Sequence, residues 1–385
     1  MSAVVNIESV LTLAAEAVFE RDGEKVMARI TRGAATTTYS LDQLSHDFLM
    51  RFREPVSLGE VAEQMSTEGY SRQNVLDFGV AMMRTPLLQL AVSNDMVPSA
   101  VDVLQVMGYR LLRAFKDKKF DGVYHVLDCH GEERVIKLSK LASGSGRYAD
   151  DLALRLRNEY QNLKEMQCHH GIVPVLDFSL SPYPCFAMMF LHGEKLTSYL
   201  CGRLTLRHRL QLCQQIVALI EAMHGCHIVH GDVHTSNFMV GPGNQVTLID
   251  LDCSFKMGTC APQRIGGAAH FIPPERTTGL WFEAITAVPT YASDVYQLGV
   301  VLYFVLVGRP PFRGQTFREL SQAIRDGRHK PATHSAEGEP VPKMITARIE
   351  QMLAQDPRSR ITNLGEVMEE MRTLVEKEHV TCTVA

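Results

Sequence analysis

Downstream of residue 105 the hydrophobic pattern changes character twice. "YRLLRAF", "GVYHVLD" and "ERVIKLS" are short apolar runs with β-branched and aromatic residues, the mark of strands. "DDLALRLRNEYQNLKEMQ" then repeats its apolar positions at helical spacing, and "IVPVLDFSL" and "PCFAMMF" read as two further strands. After Gly193 helical spacing dominates, in "LRHRLQLCQQIVALIEAMHG", "ASDVYQLGVVLYFVLVG", "FRELSQAIRDG" and "ARIEQMLAQ". A strand-rich part with one helix, followed by a helical part, predicts an α+β fold of two lobes.

The first hundred residues follow a different plan. "MARITRG" and "ATTTYSL" predict a hairpin around Gly33, and "LDQLSHDFLMRF" predicts a helix through Leu41, Leu44, Phe48 and Leu49. "SLGEVAEQM" starts a second helix with Ser57 and Glu60 at capping-box spacing. "SRQNVLDFGVAMMRTPLL" is a third, capped by Ser71. A strand pair followed by three helices resembles the small winged-helix-like PqqD domains that grip leader peptides. The plainer reading, a regulatory or packing extension, stays open beside it. The polar, proline-containing "SNDMVPSA" predicts a boundary between Ser93 and Ala100.

Composition narrows the class. With 45% hydrophobic and 21% charged residues, the 385-residue chain is an ordinary globular sequence of two domains, or of one bilobal domain with an extension. A net charge of −4 argues against a nucleic-acid or anionic-membrane binder. Nine cysteines without a C-x-x-C pair suit reduced thiols in the cytoplasm. The amino terminus lacks a positive region and carries Glu8 and Glu16 in its apolar part, unlike a signal peptide. The most apolar stretch, Leu298 to Val307, is shorter than the ~20 residues a spanning helix needs.

Chemistry concentrates in "HGDVHTSNFMVGPGNQVTLIDLDCS", where Asp232 precedes Asn237 by five residues and Asp250 ends an apolar strand. Upstream, Lys137 sits among apolar strand residues in "RVIKLSK", and Glu159 lies on the next helix in "RLRNEYQNL". Downstream come "FIPPERTTG", "ASDVYQLGV" and "DPRSRIT". In this order, from about Met107 to Leu374, the motifs resemble the eukaryotic-like serine/threonine protein kinase family. The resemblance implies a bilobal kinase fold, with a strand-rich lobe at 105–192 and a helical lobe at 193–378. The domain plan it gives is a winged-helix-like or regulatory domain at 1–100 and a kinase-like domain at 101–385.

What the resemblance implies for chemistry is transfer of the γ-phosphate of ATP, with Mg2+, to a hydroxyl of a protein or peptide. Such transfer needs the phosphates held, their charge neutralised and the nucleophile aimed. By position Asp232 is the catalytic base, Lys137 with Glu159 grips the phosphates, and Asn237 and Asp250 carry the metal, for which oxygen ligands are suited. The adenine pocket falls to Val123, Ile136, Met188 as gatekeeper, and the Met189-Phe190-Leu191 hinge, with Phe120 as lid. Glu275 is expected to pair with Arg360, and Asp294 to hold the catalytic-loop backbone.

Four departures from the family pattern bear on function. Lys116, Lys118 and Asp121 occupy the places of loop glycines, so phosphates would be met by the charges of Lys116, Lys118 and Lys119 rather than by close backbone approach, unless the hairpin tip is merely solvated. Gly231 replaces the arginine that receives a phosphorylated activation loop, which implies a site formed without that switch. His234 stands where serine/threonine kinases carry a lysine, and is a donor or a charge near neutral pH. Asp252 replaces the glycine of D-F-G. Two alternatives stay open on these grounds: a pseudokinase that binds without transferring, and a kinase of a small molecule or modified peptide, which H-G-D resembles. Cys168-His169-His170 has no second ligand pair at zinc spacing.

Overall fold

A computed structural model of the chain describes residues 10–13, 17–22, 25–32, 35–52, 56–68, 70–83, 85, 87–90, 98–118, 120–143, 147–259, 269–277, 288–314 and 317–382. They pack into two compact units, one made mainly of residues before 97 and the other from residue 97 onward. Most of the expected boundary, Ser93 to Ala100, lies outside the described residues, as does Gly33.

The amino-terminal unit contains the expected hairpin and three helices, with more strand than the pattern predicted. Strands β1 (Val10–Leu13), β2 (Ala17–Asp22), β3 (Lys25–Arg32) and β4 (Ala35–Leu41) precede α1 (Gln43–Met50). Then follow β5 (Val56–Ser57), α2 (Leu58–Thr67), α3 (Arg72–Met82) and β6 (Leu88–Leu90). Two antiparallel sheets form, β2-β3-β4 and β5-β1-β6. Asp42, Ser57 and Ser71 each accept from a first-turn N–H, and Ser57 with Glu60 completes the capping box. Leu11, Phe48, Leu49, Phe52, Leu58 and Val61 form the centre of the core.

The second unit opens with α4 (Ala100–Val106), capped by Ser99, and an antiparallel sheet of order β10-β11-β9-β8-β7. Its strands are β7 (Arg110–Asp117), β8 (Asp121–Leu127), β9 (Glu133–Ser139), β10 (Val175–Ser179) and β11 (Cys185–Met189), with α5 (Arg147–Glu165) inserted after β9. Side chains alternate across the strands, so each face has its own partner. Tyr124, Val126, Ile136 and Leu138 pack on Val103 and Leu104 of α4, while Lys137 faces α5.

The helical lobe follows: β12 (Glu194–Lys195), α6 (Leu196–Tyr199), α7 (Leu206–Gly225), β13 (Ile228–Val229), β14 (Phe238–Val240), β15 (Val246–Leu248) and β16 (Phe255–Lys256). Beyond them lie α8 (Tyr291–Val307), α9 (Phe317–Arg325), α10 (Lys343–Met352) and α11 (Leu364–Cys382). Helix α8 is apolar nearly all round, as befits a helix enclosed by others, and a Thr290–Ser293 capping box starts it. Two short pairings frame the 230–254 segment. Antiparallel β13–β16 joins Val229 to Phe255, and the β14–β15 hairpin returns the chain so that Ile249 N–H donates to the Asn237 carbonyl at 2.9 Å. No helix among the described residues is long and apolar enough to cross a membrane.

Candidate active site

A cleft of roughly 790 Å3 runs between the sheet and the helical lobe, and most of the residues singled out by sequence line it. At its centre, β9 places Lys137 and α5 places Glu159. Their side chains form an ion pair that is almost fully buried. Lys137 Nζ also donates to Asp250 Oδ1 at 3.0 Å, so one ammonium holds two carboxylates from distant parts of the chain. Glu159 Oε1 accepts the Leu251 N–H at 3.1 Å, which locks the segment after Asp250 against α5.

Burial opposes charge on all three groups; attraction between them prevails for Lys137 and Asp250, and burial prevails for Glu159. For Lys137 burial works against the ammonium, but Asp250, Glu159 and Asp252 outweigh it and raise its pKa. For Asp250 burial is outweighed by Lys137, with help from the Asp252 N–H and Lys116, so its carboxyl stays well below the usual range. Glu159 is pushed up by burial, and by Asp250 and Asp252, against the pull of Lys137.

Across the cleft the 230–237 loop is fixed peptide by peptide. Asp294 accepts from His230 N at 2.8 Å and Gly231 N at 2.9 Å, and Gln297 Oε1 accepts from Val233 N at 3.0 Å. Asn237 Nδ2 donates to the Asp232 carbonyl at 2.9 Å. Asp232 Oδ1 is buried and has no hydrogen-bond partner among the described residues. Burial would raise the Asp232 carboxyl, yet His234 and His230 outweigh it and hold it below its ordinary value. His234 Nδ1 accepts the Ser236 N–H at 3.2 Å, so the neutral ring carries its hydrogen on Nε2, 3.6 Å from Asp232 Oδ2. Gly231 sits at φ +77°, and a Cβ there would lie 2.9 Å from the Cys253 carbonyl oxygen.

The roof departs from a phosphate-gripping glycine loop. Lys116 lines the cleft, whereas Asp117 points into a network: Tyr124 Oη donates to it at 2.6 Å and Lys140 Nζ at 2.5 Å. Lys140 also donates to the Lys118 carbonyl, closing the hairpin on itself. The one glycine there, Gly122, makes room for this network, since a Cβ would meet Tyr124 Oη at 2.1 Å. Lys119 lies outside the described residues. At the hinge, Phe190 stacks on His125 at 3.9 Å, and Phe115 lies 6.0 Å beyond on the other side.

Two expectations for the adenine pocket need correction. Ile136 does not line the cleft; it is wholly buried against α4, because Lys137 faces the cleft and neighbours alternate along a strand. Val135 lines it instead. Phe120 is likewise not among the lining residues, and Phe115 of β7 takes the roof position. Val123, Met188, Met189, Phe190 and Leu191 all line the cleft. Sequence reasoning also passed over Arg276, whose Nη1 donates to the Gly231 carbonyl at 3.1 Å, and Gln297.

Below the cleft, Arg360 forks onto Glu275, Nη1 to Oε1 at 2.8 Å and Nη2 to Oε2 at 2.6 Å. This pair and the Asp294 contacts bring motifs that are distant in sequence together around the cleft. The protein kinase domain model matches residues 120–375. This chain belongs to the protein kinase domain family. Among curated proteins it is similar to the serine/threonine-protein kinase PknA of Mycobacterium tuberculosis, 29% identical over 269 residues, 67% of this chain and 59% of PknA. It is also similar to the serine/threonine-protein kinase PknB of the same organism, 29% identical over 226 residues, 56% of this chain and 34% of PknB. The chain thus spans about a third of PknB and less than two thirds of PknA.

Proposed function

We propose that the protein is an ATP- and magnesium-dependent protein kinase that phosphorylates serine or threonine hydroxyls of a protein or peptide. The observation that carries this reading is the shared Lys137, bound at once to Glu159 of α5 and to Asp250 of the helical lobe. That contact assembles the cleft across both lobes, which a remnant fold has no need to preserve. The relatives named serine/threonine-protein kinases support the acceptor class.

The donor set fits magnesium. Asp250 Oδ1 is engaged by Lys137 and by Asp252 N–H, leaving Oδ2 as a carboxylate oxygen toward the cleft. Asn237 commits its Nδ2 to the Asp232 carbonyl, leaving its amide oxygen. Among the described residues no three acidic, histidine or cysteine side chains cluster as a metal site. Magnesium is commonly held by one or two protein carboxylates together with substrate phosphates. When bound, the ion supplies positive charge to the phosphates during transfer.

The chain's own residues do the rest in this reading. Lys137 keeps its charge at neutral pH and grips phosphate oxygens, while Glu159 stops it from collapsing wholly onto Asp250. Lys116 adds charge where backbone amides of a glycine loop are lacking. Asp232, ionised and with Oδ1 unpartnered, accepts the acceptor hydroxyl's hydrogen and orients its oxygen. His234 offers Nε2–H beside it in place of a lysine. The retained Glu275–Arg360 and Asp294 contacts favour a protein kinase over a small-molecule kinase.

For the amino-terminal unit we propose a partner- or peptide-binding role, resting on its resemblance in helix order to leader-peptide-binding domains. Titration of labelled candidate peptides onto the full chain tests it, and no binding by any of them removes the support. For the cleft, the test is phosphate transfer from labelled ATP to generic protein and peptide acceptors, beside a panel of small alcohols. Nucleotide-dependent thermal stabilisation without transfer would select a pseudokinase. Transfer to a small alcohol alone would select the small-molecule reading.

A further inference from the structure

The catalytic loop has lost its own arginine, yet the guanidinium has not left the site. Arg276, the residue after Glu275, is 2% exposed and among the largest fully enclosed side chains of the chain. Its Nη1 donates to the carbonyl of Gly231, the residue that stands in the arginine's place, at 3.1 Å. That carbonyl belongs to the peptide leading into Asp232. Every neighbouring peptide is also held: Gly231 N–H by Asp294, the Asp232 carbonyl by Asn237, and Val233 N–H by Gln297. Without Arg276, the carbonyl of the peptide that aims Asp232 would lose its buried guanidinium donor. Asp232 and Asp294 are both near enough for their charge to act on the guanidinium.

The activation segment itself supplies an independent observation. Between Asp252 and Arg276 the sequence contains two hydroxyl residues, Ser254 and Thr259, and none from 260 to 276. Ser254 is buried, accepting from Asn162 Nδ2 at 2.9 Å and donating to the Leu251 carbonyl at 2.6 Å. Thr259 lies early in the segment and donates to the Lys256 carbonyl at 2.7 Å. The segment lacks a late hydroxyl to phosphorylate, and the loop lacks an arginine to receive the phosphate.

Building on the kinase reading above, we propose that Arg276 is the positioning residue of Asp232, a permanent guanidinium that couples the Pro-Pro-Glu-Arg corner to the catalytic loop without phosphorylation. Arginine suits the task because its planar fork binds a carbonyl and carboxylates together and never loses its charge. A guanidinium fixed by burial needs no switch, so the loop is held whenever the chain is folded.

The test uses the full-length wild type beside Arg276→Met, Arg276→Lys and Thr259→Ala. It reads kcat, nucleotide Kd, and hydrogen exchange of the 228–237 backbone amides. Arg276→Met keeps the volume and loses charge and donors. Its kcat is expected to fall by about a hundredfold, the effect of a misplacement near 1 Å, with nucleotide Kd unchanged and loop exchange faster. Arg276→Lys keeps a charge and should recover part of kcat and of protection, and Thr259→Ala should match wild type. The proposal is overturned if Lys is no better than Met, or if Met leaves loop exchange unchanged. It is also overturned if Thr259→Ala lowers kcat, which would restore a phosphorylation switch. A wild type that transfers no phosphate would sink the kinase reading alone, because the exchange comparison still decides whether Arg276 holds the loop.

Discussion

Restoring the family's arginine at position 231 should harm this protein. The Gly231→Arg substitution places an L-residue at φ +77°, where the left-handed conformation costs roughly 1–2 kcal/mol. The new Cβ would lie 2.9 Å from the Cys253 carbonyl oxygen, a backbone atom, and 3.4 Å from Pro289 Cγ. Relaxation is blocked on both sides, because Gly231 N–H is held by Asp294 and its carbonyl by Arg276. Giving up one such charge-assisted bond costs about 1.5–3 kcal/mol. Strain and the lost bond together amount to about 2.5–5 kcal/mol, or roughly 5–20 °C in melting temperature. Gly231→Ala should show most of the same loss, which separates backbone strain from the guanidinium. The assay is thermal unfolding of wild type and both variants, with phosphate transfer measured alongside. A Gly231→Arg protein that melts with wild type and transfers phosphate at least as fast would refute the argument.

Three further outcomes follow from the site. Glu275→Gln removes the counter-charge of Arg360, whose side chain is fully buried, and should cost about 3 kcal/mol in unfolding free energy. Burial works against the Glu275 carboxylate but Arg360 outweighs it, so its pKa is depressed in the fold. Its contribution is therefore complete above the ordinary carboxylate range and disappears as pH falls through the folded value, and the gap between variant and wild type should close in acid melts. Lys116→Ala should raise the KM for ATP several-fold, roughly the worth of one exposed phosphate contact, and leave the melting temperature within about 1 °C; unchanged KM would return Lys116 to the solvated surface. His234→Ala should lower kcat about tenfold while His234→Lys keeps it, since either a ring Nε2–H or an ammonium can serve the phosphate; a loss in His234→Lys as large as in His234→Ala would argue against that role.

Long periodic elements were legible in the sequence. Helix α7 spans Leu206–Gly225 and α8 spans Tyr291–Val307, each as its apolar spacing indicated. Strands β1, β5 and β6 were not, because they pair across about 45 to eighty residues and short strands carry little local pattern; β2, which pairs with the adjacent β3, was passed over. The Lys137–Glu159 pair was legible through the order of motifs, whereas the Lys137–Asp250 contact was not expected. Ile136 was misjudged although the needed rule was available: if Lys137 faces the cleft, Val135 shares its face and Ile136 does not. Arg276 was hidden for a different reason. Its charge adjoins Glu275, which had a partner assigned, and nothing in the local sequence says that a residue after a turn folds back onto Gly231. Gly122 is matched to the ring of Tyr124, which a Cβ there would meet.

Turnover of radiolabelled ATP by the full chain with magnesium, run beside Asp232→Asn and Asp250→Asn, tests the central claim most directly. The account predicts label on the protein or on a generic serine/threonine acceptor in wild type, lost in both variants, with nucleotide still bound by Asp232→Asn. Transfer that persists in Asp232→Asn and Asp250→Asn, or no transfer by the wild type to any acceptor, would contradict it.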